Sequence, residues 1–401
     1  GRELAGARTA LLCGAIVAVN PLFVWYSQEA RVYGLFVFTA AVAILCFLRA
    51  DALEPGDPAS ARRLAAFALS GAVALLTHYF AVFLLVPMVL WLGRDRARLR
   101  AALGAIVALT LVGLALLPLI SAQGGHGTQW IGRWPISDRL QAIPQYYLTG
   151  YSGAPLGHGV ELLVALIALV AAGFGLWRMS APQARGVEIS ALDRHERHGA
   201  LIMATLATVG ILTPVLLALL GADYLAPRNL VAAMIPVTAL IAVLAATRTA
   251  ARTGAALAAV LLLAFLVISL DVELSPRLQR GNWRGVARAL GTGDAARAIT
   301  TVELGGAPLE YYLPGLHNLH SSASVRVSEI DETGYAPLRA SAGSPPAPGF
   351  RLFARLNVDG LIVYRFRSAT ARVVSEATLR EHVITLARPE VLVPGNARLS
   401  A

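Results

Sequence analysis

The sequence predicts a polytopic α-helical membrane protein of about nine passes with a small α/β domain at its C-terminal end. Three observations predict it. Only 14% of the 401 residues are charged, 56% are hydrophobic, and the mean hydropathy is +0.62. A soluble globular chain carries about 25% charged residues, so this one cannot coat a water-soluble surface of its size. Uncharged runs approach the roughly 20 residues that cross a hydrocarbon core. The basic residues, 34 Arg and no Lys, cluster in short loops between those runs, as cytoplasmic loops do. The net charge of +10 is therefore read as loop charge and not as a nucleic-acid surface. Two cysteines exclude a disulfide scaffold and a four-cysteine zinc site.

The chain opens without Met or a signal peptide. Residues 1–8 read as a cytoplasmic loop entering a span, so the sequence is expected to start inside a longer protein. Apolar runs follow at 9–25, 32–48, 64–92, 101–120, 162–177, 199–222, 229–247 and 253–270. The third is too long for one pass and is interrupted at Thr77-His78-Tyr79-Phe80. Splitting it into two short passes that turn at His78 puts 1–8, 49–63, 93–100, 178–198 and 247–252 on one side. Those segments hold 15 Arg, against four (Arg31, Arg133, Arg139 and Arg228) in the loops of the other side. Nine passes and a cytoplasmic Arg-rich side result. Gly71, Gly104 and Gly113 read as helix-packing positions.

Residues 271–401 change character and are assigned to the outer face as a small α/β domain, with 1–270 as the membrane domain. Strand-like runs lie at 298–303, 324–328, 360–365 and 382–386. Helices are expected at 283–290 and 369–380, and Pro, Gly and Ser at 341–349 mark a loop.

Ionisable groups beside membrane spans are expensive and are functional candidates. The densest outward group is Trp25-Tyr26-Ser27-Gln28-Glu29-Ala30-Arg31-Val32-Tyr33. Glu29 can accept a proton or hold a metal, and Arg31 presents a fork that matches phosphate oxygens. The same run also reads as an aromatic belt with a local Glu–Arg pair. His78 can bind a metal or phosphate, or simply be a hydrogen-bonded histidine. Arg228, in Asp223-Tyr224-Leu225-Ala226-Pro227-Arg228-Asn229, is either a ligand group or an interfacial anchor. The outer loop 121–158 is a cover or a lid. His195-x-x-His198 and His317-x-x-His320 have ligand spacing but no Cys partner. Gly291-Thr292-Gly293 is too short for a dinucleotide fingerprint, and no Walker A sequence occurs, so no nucleotide or organic cofactor is expected.

The run Asn20 to Tyr33, with its Ser27-Gln28-Glu29-Ala30-Arg31-Val32-Tyr33 core, resembles the Ser-Gln-Glu-Ala-Arg-x-Tyr segment of bacterial GT-C glycosyltransferases. These are the glycosyltransferase family 39 proteins, and the group includes protein mannosyltransferases and lipid A aminoarabinose transferases. Leu75-Leu76-Thr77-His78-Tyr79-Phe80, Tyr224-x-x-Pro227-Arg228, Trp283-Arg284 and Tyr311-Tyr312-Leu313-Pro314 resemble later landmarks. The resemblance implies transfer, with inversion, of a mannose-like hexose or a pentose from a polyprenyl-phosphate carrier. The acceptor is a protein, lipid or polysaccharide at the outer face of a bacterial-type cytoplasmic membrane. It makes Arg31 and Arg228, with Tyr26, Tyr33 and Tyr79, candidates for holding donor and phosphate. It makes Glu29 and His78 candidates for orienting the donor or a divalent metal, which some members bind. The family's catalytic Asp lies in the first outer loop, expected upstream of Gly1, so no base is assigned within the chain. A lipid or sugar transporter, and a non-catalytic remnant of the transferase, share the same spans and remain the alternatives.

Overall fold

The computed structural model describes the chain except residues 55, 124–130, 133, 151–157, 185–190, 247–250, 293–295, 320–322, 337, 383, 386–388, 396–398 and 401. It is mostly helical and divides into two compact units, Gly1–Asp271 and Val272–Ala401.

The first unit is a helix bundle. After a turn of helix at Arg2–Ala5 (α1), it contains Ala7–Val19 (α2), Pro21–Ser27 (α3), Tyr33–Asp51 (α4), Ser60–Thr77 (α5), Val82–Leu92 (α6) and Arg96–Gln123 (α7). Then come Ile136–Thr149 (α8), His158–Ala184 (α9), Ala191–Leu219 (α10), Met234–Ala246 (α11) and Ala251–Leu274 (α12), which runs on into the second unit. Among the described residues five helices are long and apolar enough to cross a membrane, or six if α2 and α3 count as one bent span. The apolar side chains divide accordingly. Phe36, Phe47, Phe67, Met88, Met203 and Phe265 are fully buried, whereas Leu69, Leu90, Leu111, Leu163 and Leu220 lie exposed on the outside of the bundle. Water would not tolerate such a surface over this many helices. The span containing α11 is the most enclosed and α7 the most peripheral.

Two apolar runs are broken, each for a local reason. The 9–25 run is not one straight span: it bends by 60° at Asn20. Pro21 cannot donate to the preceding turn, and Asn20 instead caps α3, its Oδ1 accepting from the Leu22 and Phe23 amides at 3.1 and 3.3 Å. The Asn20 Nδ2 donates to the Tyr147 carbonyl at 2.8 Å, and the Tyr147 hydroxyl pairs with Thr238 at 2.9 Å. The bend is thereby tied through α8 to α11. The second break is at His78, whose backbone is extended (φ −158°, ψ 119°) before a 3₁₀ turn at Tyr79–Ala81.

The chain reverses at His78. A side chain begun at Gly71 would lie 3.0 Å from Leu85 Cδ2. In a continuous helix the two residues would stand about 21 Å apart. The far ends agree, because Arg63, entering α5, donates to the Arg49 carbonyl at 2.9 Å. Arg94, just past α6, pairs with Asp51 at 2.5 Å. Both ends of the hairpin therefore meet the same end of α4. Asp51, 4% exposed, also holds His198 Nε2 at 3.1 Å and Arg98 at 3.7 Å, and Arg49 pairs with Glu3 at 3.1 Å. Residues from the four segments 1–8, 49–63, 93–100 and 178–198 thus gather at one end. His198 serves there as an anchor and not as half of a metal pair with His195. Of the three glycines, only Gly71 sits at a close approach; a Cβ at Gly104 or Gly113 would meet nothing within 4 Å. Both lie on α7, the most peripheral candidate span among the described residues, and Gly113 borders a cleft there.

The second unit is built on a sheet of order β2-β6-β1-β3-β5-β4, with β7 also on β3. The strands are Arg297–Val302 (β1), Leu316–Asn318 (β2), Ser324–Tyr335 (β3), Arg351–Val358 (β4), Leu361–Ser375 (β5), Pro389–Pro394 (β6) and Leu399–Ser400 (β7). β1 and β3 are parallel and the other pairs antiparallel. Trp283–Leu290 (α13) and Gly306–Tyr312 (α14) pack on one face through Val286, Leu290 and Leu309. Glu376–Glu381 (α15) and the segment around Phe350 cover the other through Leu379 and Phe350. Two expectations fail here. Residues 369–375 continue β5, because Val373 and Val374 pair with Arg326 and Val325 of β3, and the helix starts only at Glu376, capped by Ser375. Residues 382–386 form no strand among those described, only a single bridge from Thr385 to Leu338.

The middle of β3 carries buried charge. Glu329 and Asp331, on one face, are bound by Arg365 at 2.5 and 3.0 Å. Burial works against the charge on Glu329, but hydrogen bonds from Arg367 and Arg365 hold its carboxyl below the usual range. Burial pushes Asp331 up to about 7 against the pull of Arg365.

Two outcomes test these features. Gly71→Leu should destabilise the bundle by about 1–3 kcal/mol through overpacking, while Gly104→Leu should be silent, read as unfolding midpoints in detergent. A raised acid contributes stability that is full below its unfolded value of about 3.9 and is lost as pH rises through its folded value. The second unit's stability should therefore fall between about pH 4 and about 7 in the wild type, and the Asp331→Asn variant should lose that part of the slope.

Candidate functional site

The site lies at the end of α4 opposite Asp51, about 27 Å away along a helix of 19 residues. The sequence there is too short between α3 and α4 to make anything but a tight turn. Ser27 closes α3 by donating to the Val24 carbonyl at 2.7 Å. The Arg31 amide then donates to the Glu29 carbonyl at 2.7 Å, and α4 starts at Tyr33. This turn sets Glu29 and Arg31 side by side, with Nε to Oε1 at 3.4 Å; Arg31 is 59% exposed and Glu29 16%. The local Glu–Arg pair is real, and it leaves most of the guanidinium in the open.

Aromatic rings connect this turn to the His78 break. The Tyr26 and Tyr33 centroids are 5.0 Å apart, Tyr33 and His78 6.0 Å, and His78 and Tyr79 5.3 Å. Phe36 stacks on His78 at 4.7 Å. The His78 Nδ1 accepts from the Phe80 amide at 3.3 Å. An acceptor Nδ1 assigns the proton of a neutral ring to Nε2, so His78 both caps its turn and keeps one N–H to donate. The Tyr33 phenol lies within electrostatic reach of Arg228, Arg31, Glu29 and Tyr79. All seven sequence candidates, Tyr26, Glu29, Arg31, Tyr33, His78, Tyr79 and Arg228, thus border one region, with Tyr33 at its centre.

Arg228 is carried by the 3₁₀ segment Pro227–Ala233, which Pro227 starts with a preset φ. Ahead of it, Asp223 accepts from Arg139 at 2.6 Å and from the Leu225 amide at 3.3 Å. Arg139, 3% exposed, also donates to the Leu225 carbonyl at 3.1 Å. The hydrogen bond from Arg139 holds the Asp223 carboxyl below its ordinary range. Sequence reading placed Arg139 in an outer loop as one more surface charge. It belongs to α8, inside the stretch expected to be loop, and it clamps the segment that presents Arg228. The sequence separation of 84 positions from Arg139 to Asp223 hid the pair. Gln129, Trp130 and Arg133 lie outside the described residues.

A cleft of about 440 Å³ adjoins the cluster, lined mainly by Leu75, Phe83, Leu114, Leu117, Pro214 and Leu217. Tyr79, whose ring lies 5.3 Å from His78, also lines the cleft, and so does Tyr224 of the segment that leads into Arg228. Chemically the arrangement offers guanidinium groups and an imidazole N–H for an anion, phenols at the boundary, and an apolar trough for a chain attached to that anion. Among the described residues no three His, Cys, Asp or Glu side chains gather.

No family model, curated protein or solved structure matches the chain.

Removing the Arg139 clamp should cost about 1–3 kcal/mol, because it strips the donor from a carboxylate and a carbonyl at once. The wild-type contribution is complete above the ordinary Asp value of about 3.9 and disappears as pH falls through the lowered one. Melting curves of Arg139→Ala against pH should therefore lack the wild type's acid-limb loss.

Proposed function

We propose that this protein is a membrane glycosyltransferase that uses a lipid-phosphate-linked sugar as donor. The observation that carries the reading is the junction of the Arg31–Arg228–His78 group with the apolar cleft across Tyr79. A polyprenyl-phosphate sugar has this division: a long hydrocarbon, one phosphate, then a sugar. The cleft takes the hydrocarbon, and the guanidinium groups and the His78 Nε2–H meet the phosphate. As the sugar–phosphate bond breaks, negative charge grows on the departing phosphate. Donors already in place stabilise that charge more than they stabilise the ground state. Tyr26 and Tyr33 flank the phosphate and wall off the sugar. Glu29 steers the Arg31 fork through their ion pair. The sequence resemblance to GT-C transferases supports the same reading and adds inversion at the sugar and an acceptor at the outer face.

The topology belongs to the proposal too. The Arg-rich end around Asp51 is cytoplasmic by the positive-inside rule. The Tyr33 end then faces outward, with nine passes and Val272–Ala401 outside, in a bacterial-type cytoplasmic membrane. Reporter fusions at residues 96 and 300 should give opposite signals.

With a radiolabelled polyprenyl-phosphate sugar, Arg31→Ala in the complete protein should lower donor use about 10- to 100-fold, the range of a charge-assisted hydrogen bond of about 1.5–3 kcal/mol. Arg31→Lys should restore only part, since an ammonium cannot make the forked contact. Leu117→Trp, which fills the cleft, should impair long-chain donors and spare a short-chain, water-soluble analogue. Unchanged donor use in Arg31→Ala would sink the phosphate site.

A further inference from the structure

Pro, Gly and Ser mark 341–349 as a loop. In the second unit it carries Ser344 onto the face of the sheet where Glu332 and His382 meet. The Ser344 Oγ lies 3.1 Å from His382 Nε2, and the His382 Nδ1 lies 2.7 Å from Glu332 Oε1. Three segments far apart in sequence supply the three groups: the loop after β3, the end of α15, and β3 itself. The graded burial has the order that nucleophilic catalysis needs. Ser344 is exposed, His382 is 18% exposed and Glu332 only 1%.

We propose that Ser344, His382 and Glu332 form a nucleophile–base–carboxylate triad, a second active site that cleaves esters of small acyl groups. The nucleophile bonds to its base, and the base is oriented through its other nitrogen by a buried carboxylate, which is how such a triad is recognised. Glu332 accepts from Nδ1–H, so neutral His382 presents a bare Nε2 to the hydroxyl. The Ser344 hydroxyl also lies 2.6 Å from the Ser341 carbonyl. It has one proton, so it donates either to that carbonyl or to Nε2, and the second arrangement is the reactive one. Hydrogen bonding to Glu332 raises the His382 pKa above its usual value, which strengthens it as a base.

In the reaction, Oγ bonds to the acyl carbon while its proton passes to Nε2. The carbon–oxygen bond to the alcohol breaks, and the alcohol leaves with that proton. Water then repeats the exchange, releasing the acid and restoring the hydroxyl. The alcohol can be large, because Ser344 is exposed at the surface. The Tyr364 ring lies against the backbone beside Ser344, 3.1 Å from where a Cβ at Gly343 would stand, and a short acyl group is the class that fits beside it.

The test uses the purified full chain in detergent, a fluorophosphonate probe and p-nitrophenyl acetate. Peptide mass mapping should place the probe on Ser344, with a stoichiometric burst of p-nitrophenolate. Both signals should vanish in Ser344→Ala and fall at least about 100-fold in His382→Gln. They should fall about tenfold in Glu332→Gln, a positioning change. Circular dichroism melts keep misfolding apart from lost chemistry, and the exposed position of Ser344 makes Ser344→Ala the variant that folds. A folded wild type that takes no probe overturns the proposal. So does labelling at Ser344 that a folded His382→Gln leaves intact, because the trio is then only a staple for the loop.

Discussion

The helical unit depends on one buried carboxylate. Asp51 ends α4 almost out of contact with water, and its charge is tolerable only because Arg94, Arg98 and His198 converge on it. Taking a carboxylate out of water costs several kcal/mol, and removing its partners would leave that cost standing. The chain must therefore bring α6, α7 and α10 back to the same end. Once that end is assembled, the hairpin at His78 has its feet together and its tip at the other end. The Arg-rich and aromatic ends of the bundle are two consequences of the same constraint.

The sequence made some of this readable and hid the rest for physical reasons. The reversal at His78 was legible because a polar triplet interrupted a run too long for one pass, and because only a reversal put the Arg clusters together. The bend at Asn20 was not anticipated, although Asn-Pro is a strong cap signal, because the apolar run continues through it and hydropathy ignores backbone donors. The small residues of α7 read as packing positions, but a glycine reports a close approach only when another helix is present. Residues 369–375 were expected to be helix together with 376–380, and pairing with β3 holds them in β5 instead. The clustering of Arg31, His78 and Arg228 was guessed from their common depth at span ends. The Arg139–Asp223 clamp and the Ser344–His382–Glu332 trio had no such cue, since nothing local marks residues that meet across dozens of positions.

The two ends of the bundle treat charge differently, and the difference is informative. At Asp51 the charges are matched and largely buried, the condition for holding helices together. Around Tyr33 the guanidinium of Arg31 stays mostly exposed beside a single carboxylate, and the rings enclose the region without neutralising it. Structure is served by satisfied pairs; an anion-binding region, as proposed around Tyr33, needs donors within reach of solvent.

The tie from Asn20 through Tyr147 to Thr238 has a mechanical meaning. The aromatic turn after α3 is short and would otherwise hinge at the bend, swinging with every fluctuation of a peripheral helix. Its root is fastened instead to α11, part of the most enclosed candidate span among the described residues. The turn behaves as a fitting bolted to the frame, while the cleft beside it is bordered by the peripheral α7.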